Sequence, residues 1–163
     1  AGHIGLVDLE NDFDIEIVTQ NVDDLHERAG SSKVLHLHGE IRKSRSTSNP
    51  ELIYNIDAPE LNLGDTCELG SQLRPHIVWF GEAVPAFEEA VEIARQADIF
   101  VIIGTALAVY PAAGLVNYLQ PGTPIFIINP DAVSQQFSSQ IDVIETGAVE
   151  GLPILKRKLN NHV

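Results

Sequence analysis

The chain has 163 residues, 44% of them hydrophobic, enough for one compact core and too few for two large ones. Lys and Arg number 10 against 23 Asp and Glu, and the formal net charge of −13 repels phosphate backbones, which excludes nucleic acid as a direct partner while leaving room for a basic peptide or a nucleotide held by backbone N–H groups. The single cysteine, Cys67, excludes an internal disulfide and a cysteine-built zinc cage.

Nothing at the start resembles a signal peptide, and apolar runs such as "DIFVIIGTALAVY" fall short of the roughly 20 residues that span a bilayer, so a cytoplasmic protein with no membrane partner is expected. The opening "AGHIGLVDLE" has no initiator methionine and reads as the middle of a helix, which predicts a fragment of a longer chain. "IEIVT" (15–19) alternates as a strand does, and "VDDLHERAG" follows as a short helix with Asn21 or Asp23 as its cap and Gly30 as its C′ residue. "KVLHLH" is the second strand. The stretch from Ile41 to Leu73, dense in Ser, Asn, Pro and Gly, breaks the rhythm and reads as a small hairpin excursion around "LIYNI".

"HIVWF" (76–80) gives the third strand, and "VPAFEEAVEIARQA" a helix with Pro85 near its first turn. "DIFVII" is a continuous apolar run, as in a strand covered on both faces, and "PAAGLVNYL" a helix closed by "PGTP". "PIFIIN" and "DVIE" are further strands, and "GLPILKRKL" a terminal helix with its cations in the last turn. Strands alternating with helices predict an α/β, Rossmann-like, mostly parallel sheet with helices on both faces. Residues 1–40 and 74–163 would form it, with 41–73 as an inserted module.

The conspicuous polar residues fall after successive strands: "TQNVD", "HGE", "FGE", "GTA" and "NPD". In open parallel sheets that edge binds ligands, so five such clusters predict one shared cleft. His36 and His38 share one side of a strand, and a metal pair would need His26, His76 or Cys67 as a further ligand. His38, nearest the strand end with Gly39 behind it, is the candidate general base. Gln20, Asn21 and Asp23 offer amide and carboxylate groups suited to a carboxamide and to sugar hydroxyls, and capping leaves Gln20 without a reason. Trp79 and Phe80 are large apolar surface beside Gly81, suited to an aromatic channel wall. Gly104 and Thr105 form a turn that can present N–H groups to an anion, and Asn129 can bond a ribose hydroxyl.

Together "TQNVDDLHERAG", "VLHLHGE", "LRPHIVWFGE", "IGTALAVYPAAGLV", "IIN" and "GLPIL" resemble the sirtuin family of NAD-dependent protein deacylases, with "LRPHIVWFGE" and "VYPAA" similar to its bacterial, desuccinylase-like branch. The resemblance implies NAD as cofactor and acyl-lysine proteins or peptides as partners, with acyl transfer to ADP-ribose and release of nicotinamide. It implies His38 as catalytic base with Asn21 and Asp23 beside it. Gln20, Asn21, Val22, Asp23, Gly104, Thr105, Ala106, Asn129, Pro130, Asp131 and Ala148 would contact the cofactor. Val78, Trp79, Phe80, Gly81, Glu82, Val109 and Tyr110 would contact the substrate.

Two departures accompany the resemblance. Where the family carries paired zinc cysteines this chain has Ser46, Asn49, Cys67 and Gly70, so no zinc is expected, and Leu52, Ile53, Tyr54 and Ile56 would form a metal-free hairpin core. The family's N-terminal glycine-rich phosphate loop is not in these residues, and Ala106 stands where the family often has Ser. A non-catalytic binding module and a mono-ADP-ribosyltransferase are the alternative readings. The sequence does not set the oligomeric state.

Overall fold

The computed structural model describes residues 1–57, 60–105, 112–131 and 141–160. Helix α1 (Gly2–Leu9) leads into β1 (Ile17–Thr19), α2 (Leu25–Ala29) and β2 (Val34–His36). β3 (Gly39–Ser46), β4 (Ile53–Asn55) and β5 (Leu73–Ile77) follow, then α3 (Phe87–Gln96), β6 (Phe100–Ile103), a 3-10 helix (Ala112–Tyr118), β7 (Ile125–Ile128), β8 (Ile141–Ile144) and α4 (Ala148–Leu159).

The expected parallel sheet is present as two hydrogen-bonded pieces, β1–β2 and β6–β7–β8. All four residues of β7 are buried, because successive side chains point to opposite faces and both faces are covered. Phe126 and Ile128 pack with Ile144 against Leu9 of α1 and Leu152, Leu155 and Leu159 of α4. Ile125 and Ile127 pack with Ile102 and Ala113 on the opposite face. Leu37, the α3 residues Ala90, Val91 and Ala94, and Leu115 form a neighbouring cluster. Burying a side chain such as Phe126 or Leu155 contributes about 1.5–3 kcal/mol. At Gly151 helix α4 lies so close to β7 that a Cβ would stand 2.4 Å from Ile128 Cγ2, and only glycine permits that approach.

The structure corrects several local expectations. The first strand begins at Ile17 rather than Ile15, and α3 at Phe87, past Pro85. "AAGLVNY" winds as a 3-10 helix, consistent with Gly114 and β-branched Val116 inside a short segment. Helix α2 starts at Leu25 with Asp24 in the cap position, so Asn21 caps nothing, while Asp23 Oδ1 accepts the Leu25 N–H at 3.1 Å. Gly30 does close α2 in the left-handed region.

The largest correction concerns "HIVWF". The strand occupies 73–77, pairs antiparallel with β3, and belongs to the separate sheet β4–β3–β5. It ends at Ile77 because a β-turn follows: Glu82 N–H bonds the Trp79 carbonyl at 3.0 Å, with Gly81 at φ +88°. The excursion does contain a hairpin, β3–β4, yet Ile53 is 44% exposed, and the buried β3 side chains are Ser44 and Ser46. Of the residues expected in an apolar hairpin core, Leu52, Tyr54 and Ile56 are half-buried and Ile53 is exposed, while the fully buried side chains beside them are hydroxyls.

Candidate active site

The carboxyl ends of β1, β2 and β6 meet. His38 continues β2, and its Nδ1 lies 3.1 Å from the Gln20 carbonyl oxygen beyond β1. A carbonyl only accepts, so in the neutral ring Nδ1 carries the hydrogen and Nε2 keeps its lone pair. The Gln20 side chain, which capping could not explain, accepts a hydrogen bond from Thr105 Oγ1 at 3.4 Å across to the end of β6. Val22, in the same loop, accepts the Ile41 N–H at 2.7 Å, which fixes the β1 loop to β3.

Behind His38 the backbone must turn within a very small space. Gly39 has φ +82°, and a Cβ there would lie 2.0 Å from the His76 carbonyl oxygen, so no other residue fits between β3 and β5. His36 has a different task. Its ring, on a side chain only 6% exposed, spans the Asn21 carbonyl at 3.1 Å and Glu27 Oε1 at 2.7 Å. The two histidines are committed to different partners, and among the described residues no group of three or more His, Cys, Asp or Glu is placed to hold a metal.

Further along the edge, Gly104 has φ +62° with no atom of the described residues within 4 Å of where a Cβ would stand, and its N–H bonds the Ile128 carbonyl. Half-buried Asn129 follows β7, with exposed Pro130 and Asp131 beyond it. Ala148 opens α4 after β8. Ala106, Val109 and Tyr110 lie outside the described residues.

The "FGE" cluster reaches this region by another route. It follows an antiparallel strand, and Val78 N–H bonds the His38 carbonyl at 2.9 Å, which brings the turn after β5 against the end of β2. Trp79 is 54% exposed and Phe80 fully so, so among the described residues they stand in solvent and wall no closed channel. Glu82 points back into the module, to Arg74 and Arg45. Its hydrogen bonds from Arg74, and then from the Trp79 N–H, hold its carboxyl down to about 2. Sequence reasoning missed both arginines. A signal was available: Arg42, Lys43 and Arg45 crowd three of the chain's ten cations into one strand.

The chain is similar to known proteins over nearly its whole length. The Sir2 family model matches residues 1–111. An NAD-dependent protein deacylase of Bacteroides thetaiotaomicron is 50% identical, covering 97% of this chain and 70% of that relative. One of Helicobacter pylori is 47% identical, covering 96% and 68%. The chain belongs to the Sir2 family. Among solved structures, a Sir2 homolog–NAD complex superposes with a TM-score of 0.84 at 36% identity over 99% of this chain, which spans 64% of that structure. A Sir2–p53 peptide–NAD+ complex gives 0.77 at 28% identity over 98%.

Two groups follow from the family resemblance. The donors and acceptors along this edge fit a dinucleotide in kind: a carboxamide and carboxylate set at one end, Gly104 with no described residue over its Cα, and a half-buried Asn129 after β7. The zinc positions do not fit a metal. Ser46 Oγ accepts from the Cys67 thiol at 3.2 Å and from the N–H groups of Ser48 and Asn49 at 3.2 and 3.3 Å, while Gly70 offers no side chain. One thiol among a hydroxyl, an amide and a hydrogen cannot form the four-ligand shell that structural zinc requires.

Proposed function

We propose that this Sir2 family protein is an NAD-dependent protein lysine deacylase in which His38 is the general base. The observation that carries the reading is the His38 Nδ1 to Gln20 carbonyl contact, which leaves Nε2 as the free basic nitrogen of the neutral ring. The names of the relatives and the NAD and peptide complexes of the family support it.

Held along the strand ends, NAD would supply a ribose carbon as acceptor: its bond to nicotinamide would break, and the acyl oxygen of the modified lysine would bond there instead. A water molecule would complete release of the free lysine amine, with the acyl group left on ADP-ribose as O-acyl-ADP-ribose. His38 Nε2 would take the proton from a ribose hydroxyl. Gln20, Asn21 and Asp23 would orient the carboxamide and its ribose, while Gly104, Thr105, Asn129 and Ala148 would hold the adenosine half. Val78 and the turn after it would pair with an extended acyl-peptide by strand addition. The unit around β3–β5 would act as an inserted module that needs no zinc, and acetyl- and succinyl-lysine would both be candidate substrates.

The test is mass spectrometry after mixing the protein with NAD and acetyl- or succinyl-lysine peptides. Nicotinamide and O-acyl-ADP-ribose in equal amounts are expected. ADP-ribosylated peptide instead would establish a transferase, and peptide binding without either product a non-catalytic module.

A further inference from the structure

Arg45 and Arg74 are register partners across β3 and β5, so two guanidinium groups meet on one face of the sheet. Like charges placed opposite each other are destabilising unless an anion joins them. Glu82 joins them. Arg74 donates to both of its oxygens, at 2.6 and 3.2 Å, and Arg45 to one, at 3.1 Å. The same carboxylate accepts the Trp79 N–H at 3.1 Å, and both arginines also reach the Ile77 carbonyl, at 3.1 and 3.5 Å. Arg45 is only 13% and Arg74 26% exposed, so the pair is better shielded than a surface ion pair.

These bonds enclose one short segment. Val78 at its start is tied to the His38 carbonyl, and Trp79 and Phe80 at its tip are in solvent. Apolar packing therefore does not set the tip's conformation. The carboxylate does.

We propose that Arg45, Arg74 and Glu82 form a positioning clamp that fixes the Val78–Gly81 segment beside His38, so that Glu82 acts through the turn and does not touch substrate. The effect on the turn stands by itself. The effect on peptide binding rests on the deacylase reading.

Trp79 is the only tryptophan of the 163 residues and sits in the clamped turn, so its fluorescence reports directly. In Glu82→Gln, Trp79 anisotropy should fall and acrylamide quenching rise by about twofold, because a neutral amide cannot hold two guanidinium groups. Arg74→Lys, which keeps the charge and loses the fork, should move both readings the same way and serves alone if Glu82→Gln does not fold. The double variant should go no further than either single one, the mark of a shared unit. In turnover, KM for the acyl-peptide should rise about tenfold while kcat stays within about twofold. Wild-type Trp79 behaviour in both folded variants, or additive effects in the double variant, would overturn the clamp. Absence of turnover in the wild type would sink the deacylase reading and leave the Trp79 readings to decide the clamp.

Discussion

In the β6–β7–β8 sheet every residue of β7 is buried and apolar, with Phe126, Ile127 and Ile128 each 1% exposed. In the β4–β3–β5 sheet the buried side chains of β3 are Ser44 at 3% and Ser46 at 1%, and the apolar Ile41 and Ile53 lie outside. The first sheet is held by area removed from water, which is non-directional and tolerant of exchange among similar side chains. The second is held by directed bonds to single atoms, Ser46 Oγ and the Glu82 carboxylate, which tolerate no such exchange. The difference suits their places: the apolar sheet fixes where its strands end, and the polar sheet leads into the turn whose Val78 N–H bonds the His38 carbonyl.

That contrast can be broken from either side. The largest effect is expected from Phe126→Ala, which should lower unfolding stability by about 3–5 kcal/mol through transfer and cavity terms, measured by denaturant titration. Ser46→Ala should cost about 0.5–1.5 kcal/mol, because it removes the acceptor of the Ser48 and Asn49 N–H groups. Limited proteolysis should then cut the 41–73 region first while far-ultraviolet circular dichroism stays near wild type. Equal loss in both regions would show that the two sheets unfold as one.

Acidification should produce a smaller change. His26, by burial and then by the neighbouring His3, and His76, by burial and then by Arg45, are both held below the ordinary histidine value of 6.5. The unfolded chain therefore binds more protons as pH falls through 6.5, and folded stability drops with it. Tm should be lower at pH 5.5 than at pH 7.5, by less than Ser46→Ala lowers it, and His26→Gln should flatten the slope. The smallest effect is expected from a chelator: ethylenediaminetetraacetate should leave Tm unchanged, because the knuckle around Ser46 and Cys67 is hydrogen-bonded. A marked fall would reveal a structural metal.

The two sheets also differ in how far the sequence discloses them. "IFII" and "FVII" are continuous apolar runs, and strands buried on both faces have few other patterns available. "GEIRKSRS" carries neither apolar alternation nor a turn signal, since its buried positions are small and hydroxylated. "HIVWF" misled for the opposite reason: Trp79 and Phe80 extend an apolar run past the strand's true end at Ile77, where the chain turns and exposes both rings. At the candidate site, His38 and Gln20 stand out in the sequence because their residue types are unusual at a strand end, and the structure brings them to 3.1 Å of each other. Glu82 is conspicuous in the sequence, yet its arginine partners lie 8 and 37 residues away, beyond the reach of local pattern.

The most direct test of the account is His38→Ala in the NAD and acyl-peptide reaction, followed by mass spectrometry of O-acyl-ADP-ribose and compared with wild type at matched Tm. If His38 is the base, the product forms with wild type and falls below detection in the variant. Undiminished O-acyl-ADP-ribose from a folded His38→Ala protein would contradict it.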